Sequence, residues 1–139
     1  MAQKEVAAHK TIGRGFTNEI QTVKLTWDHA LDGGATTDTY VMGTSLGKIL
    51  ILDACVHVET AATSGGSATL AIGLAGGDVD AFLDASSGAV AALVLNYTEK
   101  EAAGQKLIIP ANGKMEAVIA TAAMTAGKVS LIISFVNAA

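Results

Sequence analysis

The chain has 139 residues, a formal net charge of −4 and a composition that is 50% hydrophobic, 16% charged and 4% aromatic. This length is typical of one domain, so we expect no second one. Soluble domains carry about 25% charged residues, so the low share of charge here predicts that part of the surface is buried in an assembly. Scattered lysines and a single arginine in an acidic chain exclude a nucleic-acid-binding protein, because phosphate binding needs clustered basic residues.

The cysteine content and the N-terminal residues indicate the cellular compartment in which the chain is made. Cys55 has no second cysteine with which to form an internal disulfide, which fits synthesis in a reducing cytoplasm. Charged residues stand near the N-terminus where a secretion signal would need an apolar core, and no run approaches the 18 or so apolar residues of a membrane span. We therefore expect a soluble protein that has no membrane partner.

The first 19 residues differ in pattern from the rest. They mix both charge signs and show no sustained periodicity, which predicts a flexible or docked N-terminal arm over residues 1–19, followed by a β-sandwich domain over residues 20–139. A short helix from Lys4 to Lys10 is the alternative for the arm. We expect the arm to contribute to partner binding more than to the fold.

The first half of the domain reads as strands separated by turns. Apolar residues at a period of two predict a strand from Ile20 to Trp27, and Asp32-Gly33-Gly34 predicts the turn that precedes a short strand at Thr39 to Gly43. A long strand follows from Lys48 to Thr60. After the Ser64-Gly65-Gly66 turn, Ser67 to Leu74 is the expected hairpin partner of that long strand.

The second half continues the pattern after a loop anchored by Phe82 and Leu83. Val90 to Leu95 is a further apolar run, and Thr98 to Glu101 has the spacing of a capping box, so that one helical turn or a charged loop is expected there. Lys106 to Ile109 and Met115 to Thr121 flank an Asn-Gly pair, which is a strong hairpin signal.

The last strand completes the predicted fold. It follows a turn at Ala126-Gly127-Lys128, with Val129, Leu131, Ile133 and Phe135 on the parity expected to face the core. Half of the side chains on the opposite face of this strand are apolar, which predicts a partner surface that includes Ile132 and Val136. About eight strands at this spacing predict an all-β protein, an antiparallel β-sandwich of jelly-roll type.

The motifs that could carry catalysis lack the context that catalysis needs. Ser45 lies in a G-x-S-x-G string, but a strand follows it rather than the helix of a nucleophile elbow. Asp78, Asp80 and Asp84 favour a solvated turn over an ion site, since an EF-hand would need Asp or Asn where Phe82 stands. The three histidines lack zinc-site spacing, and Cys55 has no catalytic companions. We expect no enzyme, metal or cofactor.

Turn and strand signatures carry a resemblance to a protein family. They are Lys24-Leu25-Thr26-Trp27, Asp32-Gly33-Gly34-Ala35-Thr36, Asp53-Ala54 with Val56 and Val58, Thr63 to Thr69, Ile72-Gly73 and Gly77 to Leu83. In this combination the chain resembles the small capsid decoration (cement) proteins of tailed bacteriophages, from about Lys24 to the last strand.

The resemblance implies a fold, a location and a partner. It implies a jelly-roll-like sandwich, usually trimeric, on the outside of a phage head, made in the host cytoplasm and bound to the major capsid protein. Arg14 and Phe16 in the arm, with Ile132 and Val136, are the expected interface residues. The alternatives are another virion component (tail, baseplate or fibre) and a carbohydrate-binding jelly roll. Against the latter, Trp27 lies on the core parity of its strand rather than on a sugar-stacking face.

Overall fold

The computed structural model describes residues 2–12, 19–36, 38–77, 81–84, 89–94, 98–100 and 107–138. These residues form nine strands and one short helix. In chain order they are β1 (Ala2–Ile12), β2 (Gln21–Asp28), α1 (His29–Asp32), β3 (Asp38–Ser45), β4 (Ile49–Ser64), β5 (Thr69–Leu74), β6 (Thr98–Lys100), β7 (Ile108–Ile109), β8 (Lys114–Ala120) and β9 (Met124–Asn137).

The strands are arranged in two sheets. The first sheet has the order β1-β3-β8-β5, and the second has the order β2-β9-β4, with β6 and β7 both paired to β4. Trp27 from the second sheet and Tyr40 from the first are fully buried, with ring centroids 6.3 Å apart. An all-β sandwich of jelly-roll type is therefore confirmed.

The inward-facing side chains that alternate along β9 and β4 form much of the core. Val129, Leu131 and Ile133 on β9 are completely buried, and so are Val56 and Val58, which lie on the inward parity of β4. Each inward residue of one strand stands opposite an inward residue of the other, as in the pairs Val56 with Leu131 and Val58 with Val129. The period of two in the sequence thus predicted the buried face correctly.

Two expected hairpins are wrong. β5 pairs with β8 and not with β4, and β7 pairs with β4 and not with β8. Both turns form as expected, and Asn112 takes the positive φ (64°) that its turn requires. They carry the chain from one sheet to the other, however, because a turn sequence sets a change of direction without fixing which strand becomes the partner.

The N-terminal segment is a strand over much of its length. β1 pairs in parallel with β3, whereas every other strand pair in the described residues is antiparallel, and the register shifts between Glu5 and Lys10. The helical alternative for Lys4 to Lys10 is therefore wrong. Val6 and Ile12 are buried in the core, so this part of the arm is docked and contributes apolar area to the fold. The division of the chain at residue 19 stays a prediction.

Three local expectations need correction or fall partly outside the described residues. Thr98–Lys100 pairs with His57 to Cys55 as β6, so that neither a helical turn nor a loop starts there. Gly127 lies inside β9, where its φ of 140° allows close packing against Trp27 and Ala62, rather than in a turn before the strand. The Val90 to Leu95 run forms a turn that buries Leu93, and residue 95 itself is not described.

Candidate interaction surface

The outer face of the second sheet carries a row of apolar side chains. Leu50 on β4 pairs with Val136 on β9 at one side and with Ile108 on β7 at the other. Ile20 directly precedes Gln21, which pairs with Phe135, so the antiparallel register places Ile20 alongside Val136. We call Ile20, Leu50, Ile108 and Val136 the apolar row; Ile20 and Ile108 are 67% and 55% exposed.

The structure brings together part of the predicted interface. Val136 belongs to the apolar row, and Ile132 lies on the same outer face between Lys24 and Cys55. Both are half-buried, as expected for side chains on the solvent side of a sheet. Arg14 and Phe16 lie outside the described residues. The other members of the row, Ile20, Leu50 and Ile108, are not among the interface residues expected from the sequence, because only the order of the strands aligns them with Val136.

Beyond the apolar row, hydroxyl and charged groups connect the strands of this face. The Thr22 and Ser134 hydroxyls lie 3.0 Å apart, as do those of Thr26 and Ser130. Ser130 Oγ also donates to Glu59 Oε2 at 2.7 Å. Cross-strand pairs of this kind each contribute a few tenths to about 1 kcal/mol to a sheet, so they stabilise the pairing of β2 with β9 on this part of the face.

Glu59 is the charged centre of this hydroxyl network. Its Oε1 accepts a hydrogen bond from Lys24 Nζ at 2.8 Å. The bond from Lys24, followed by that from Ser130, lowers the pKa of Glu59 below its ordinary value. The carboxylate is therefore ionised at neutral pH, and it fixes the Lys24 ammonium on the outer face.

A buried carboxylate attaches β1 to the body of the sandwich. Asp32 at the end of α1 is 3% exposed, and its Oδ1 accepts from the backbone amide of Ala7 at 2.6 Å. Its Oδ2 accepts from the amide of Asp28 at 2.9 Å, while Lys4 Nζ donates to its backbone carbonyl at 2.9 Å. Ala7 lies where β1 shifts register on β3, so Asp32 takes the place of a strand partner.

A second polar contact ties β1 to β8 across β3. Lys114 Nζ donates to Gln3 Oε1 at 2.9 Å, and the Gln3 side chain also bonds to Glu116. Burial raises the pKa of Glu116, and the bond from Gln3 opposes that rise only in part. The outer face of the first sheet therefore holds a carboxyl group whose charged form is disfavoured by the fold.

Within the described residues, the structure shows where the candidate catalytic side chains lie and what they contact. Ser45 ends β3, is fully buried, and its hydroxyl donates to the carbonyl of Gly47, which is not the exposed geometry of a nucleophile elbow. Cys55 and His57 stand on the outer face of β4 opposite Ile132 and Ser130. No group of three or more metal-ligating side chains occurs in the described part of the chain. Asp78 and Asp80 lie outside it.

Within the same described residues, no helix has the length and apolarity that crossing a bilayer requires. No protein-family model matches the chain, and no curated protein matches it.

Solved structures share the fold. A chain of the Cyanophage Pam1 capsid asymmetric unit has a TM-score of 0.62 and 19% identity, covering 90% of this chain and 89% of that chain. A chain in the capsid of Ralstonia phage GP4 has a TM-score of 0.56 and 16% identity, covering 91% and 89%. A chain in the acidic stable capsid structure of Helicobacter pylori bacteriophage KHP30 has a TM-score of 0.59 and 12% identity, covering 86% and 89%. The sandwich described above is therefore a fold that also occurs in phage capsids.

Proposed function

We propose that this protein is a non-enzymatic structural component of a tailed-phage virion that binds the outside of the capsid and stabilises the head. Its partner is the major capsid protein, and it acts as a homotrimer. It is made in the host cytoplasm and takes up its place on the capsid surface.

The extent of the fold likeness carries the proposal. In each of the three phage capsid structures the match covers 89% of the other chain and at least 86% of this one. A shared β-sandwich alone would be weak support, because sandwiches host many unrelated functions. A likeness over nearly the full length of both chains, found in three capsids, supports a capsid role over the carbohydrate-binding alternative. The burial of Trp27 also argues against sugar stacking.

The apolar row supports the expectation that the protein works in an assembly. Its side chains line up across β7, β4 and β9 and end at Ile20, just before β2, and contiguous exposed apolar surface marks interaction sites on soluble proteins. Three of these side chains lie on paired strands of the second sheet, beside the hydroxyl network, so most of the stripe is presented on a sheet rather than on a loop. Preorganisation lowers the ordering cost of association. We assign the trimer contact to this row together with Ile132.

Electron cryomicroscopy of heads with and without the protein tests the capsid assignment. We expect density for the sandwich on the outer surface of complete heads and no such density on heads assembled without it. Heads that lack it should form but rupture at lower temperature or osmotic stress, and adding the purified protein should restore them. Density found only on tails would overturn the proposal in favour of another virion component.

Light scattering tests the trimer and its contact. The chain mass is 14.0 kDa, so a monomer mass for the unmodified protein at micromolar concentration would refute the trimer. Val136→Lys and Ile132→Lys should each reduce the assembly to monomers while the far-ultraviolet circular dichroism is retained. The matched control Ala120→Lys places the same charge at an exposed position on the first sheet and should leave the mass unchanged. An equal effect of the control would refute the assignment of the contact.

A further inference from the structure

The turn between β7 and β8 contains the one Asn-Gly pair of the chain, Asn112-Gly113. Gly113 N donates to the carbonyl of Pro110 at 3.0 Å, which closes a four-residue β-turn with Asn112 at its third position. Asn112 takes a φ of 64° there, and asparagine tolerates this left-handed conformation better than most residues do. The backbone of the turn therefore favours asparagine at position 112.

Packing explains why a glycine follows this asparagine. A Cβ at Gly113 would lie 2.5 Å from Ile109 Cγ2 and 2.9 Å from the carbonyl oxygen of Pro110, so a larger residue would displace the turn. Asparagine is a thermolabile residue, and it is least stable before glycine, because glycine has no side chain to shield its backbone nitrogen. The fold thus requires a chemically labile pair at this point.

The turn is exposed and can open locally. Pro110, Ala111 and Asn112 are all exposed, and β7 before the turn consists of two residues. Short elements with solvent-exposed backbone hydrogen bonds belong to the least stable parts of a fold, which open without global unfolding. Gly113 N can therefore leave the Pro110 carbonyl and become free to react while both sheets stay intact.

We propose that Asn112 is a site of spontaneous deamidation, and that the isoaspartate formed there releases the turn from the end of β3. The backbone nitrogen of Gly113 loses its proton to the solvent and attacks Cγ of Asn112. The new C–N bond closes a five-membered succinimide ring, while the bond from Cγ to Nδ2 breaks and the NH₂ group takes up a proton and leaves as ammonia. Water then opens the ring. Attack on the side-chain carbonyl gives aspartate, and attack on the main-chain carbonyl gives isoaspartate, in which the main chain runs through the former side chain.

The structural effect follows from two backbone hydrogen bonds that join the turn to Ser45 at the end of β3. Asn112 N donates to the Ser45 carbonyl at 2.7 Å, and Ser45 N donates to the Gly113 carbonyl at 2.8 Å. Isoaspartate inserts one extra carbon into the main chain between Asn112 N and the Gly113 carbonyl, so the two bonds cannot both keep their geometry. Ser45 is fully buried, so water does not replace the partner that its backbone loses.

Ageing of the purified full chain at mildly alkaline pH tests the proposal. Ion-exchange chromatography separates the products, because each carries one more negative charge than the starting protein, and mass spectrometry of their peptides distinguishes isoaspartate from aspartate. We expect conversion at Asn112 before any at the other asparagines, which are Asn18, Asn96 and Asn137. Conversion should be slower than in the blocked peptide IIPANGKM, because the turn of the folded chain must open first.

Matched variants separate the extra carbon from the added charge. Asn112→Asp carries the same charge as the isoaspartate form but has an ordinary main chain. The amide of Ser45 should exchange its hydrogen about fivefold to thirtyfold faster in the isolated isoaspartate form than in Asn112→Asp, the range expected for the loss of a buried hydrogen bond. Asn112→Gly removes the reactive carboxamide and tolerates the positive φ, so it should gain no charge at this turn on ageing.

Three results would overturn the proposal. They are an unchanged Asn112 when the peptide has been fully converted, earlier conversion at another asparagine, and equal exchange of the Ser45 amide in the isoaspartate form and in Asn112→Asp. Either of the first two would remove the modification site, and the third would remove its effect on β3. None of these readouts uses a virion or depends on the oligomeric state, so their failure leaves the capsid assignment to be judged by microscopy alone.

Discussion

The attachment of β1 by Asp32 leads to a prediction that can be worked out from the structure. Asp32→Asn keeps the size of the side chain but replaces one carboxylate oxygen by an amide nitrogen. Asp32 accepts from Ala7 at 2.6 Å and from Asp28 at 2.9 Å, so the variant can accept only one of these two bonds and must place its NH₂ group against the other donor. A buried backbone amide is then left without an acceptor.

The expected loss of folding stability follows from the two hydrogen bonds that the Asp32 carboxylate accepts. Hydrogen bonds to charged groups contribute about 1.5 to 3 kcal/mol each. The variant loses one outright and weakens the other, so we expect the free energy of unfolding to fall by about 2 to 3 kcal/mol. For a domain of this size that loss lowers the melting temperature by about 6 to 12 °C. Asp32 is 3% exposed, so water cannot supply the hydrogen bond that the backbone amide loses.

Thermal and urea unfolding at one fixed protein concentration measure this loss, and hydrogen exchange locates it. The amide of Ala7 should exchange faster in Asp32→Asn, while amides in the centre of β9 change only by the global loss of stability. Asp28→Asn is the control, because Asp28 caps α1 through a bond to Ala30 and Asn caps helices as well as Asp does. A melting temperature within 2 °C or so of wild type, with unchanged exchange at Ala7, would refute the anchoring role.

The remaining predictions concern the core, the carboxyl groups and a close backbone approach. Ile133→Lys should abolish folding, seen as loss of the unfolding transition, because it places a charge at a fully buried position. Glu59→Gln should lower the melting temperature at pH 7, and the deficit should shrink as pH falls through the lowered pKa of Glu59, since the stabilising contribution of its charged form disappears there. Glu116→Gln should show the opposite trend in the same scans. The pKa of Glu116 is raised, so the charged carboxylate destabilises the fold increasingly as pH rises above the ordinary carboxyl range, and the variant should gain stability relative to wild type over that range. Gly34→Ala should cost about 1 to 3 kcal/mol in urea unfolding, since a Cβ there would lie 2.5 Å from the carbonyl oxygen of Met124, whereas Gly65→Ala meets nothing within 4 Å and should cost much less.

The buried faces were predictable from the sequence because they depend only on local alternation. In β9, residues Val129, Leu131, Ile133 and Phe135 recur at a period of two, and the structure buries this predicted parity. The same reasoning placed Ile132 and Val136 on the opposite face, where they lie. The turn at Asn112 was predictable for a similar reason, because its positive φ is a property of the local sequence.

Strand partners were not predictable in this way. The turns after β4 and after β7 have the composition of hairpin turns, but in both cases the next strand joins the opposite sheet. Which sheet a strand joins depends on long-range packing, and no local signal encodes it. The apolar row illustrates the consequence, because Ile20, Leu50 and Ile108 are far apart in sequence and become neighbours only through the order of the strands.

β1 was misjudged for a different reason. Its register shift between Glu5 and Lys10 breaks the period of two, so the inward residues Val6 and Ile12 are separated by six positions and give no strand pattern. The polar residues between them predict a flexible or docked arm rather than a strand. Asp32 precedes two glycines, which predicts a turn residue, although its buried carboxylate accepts a hydrogen bond from a backbone amide 25 residues away. A bulged edge strand held by a side chain has no signature in a single sequence.

The apolar row would strengthen a shell through contacts between copies of the chain. It lies on a face whose strands are joined by hydroxyl pairs, and apolar burial, unlike an exposed ion pair, is not screened by salt. A protein that binds assembled shells and not free subunits stabilises each site by RT ln(1 + [L]/Kd). The proposed trimer would join three weak capsid contacts and so raise the effective affinity without any new contact, and Val136→Lys should therefore weaken head binding.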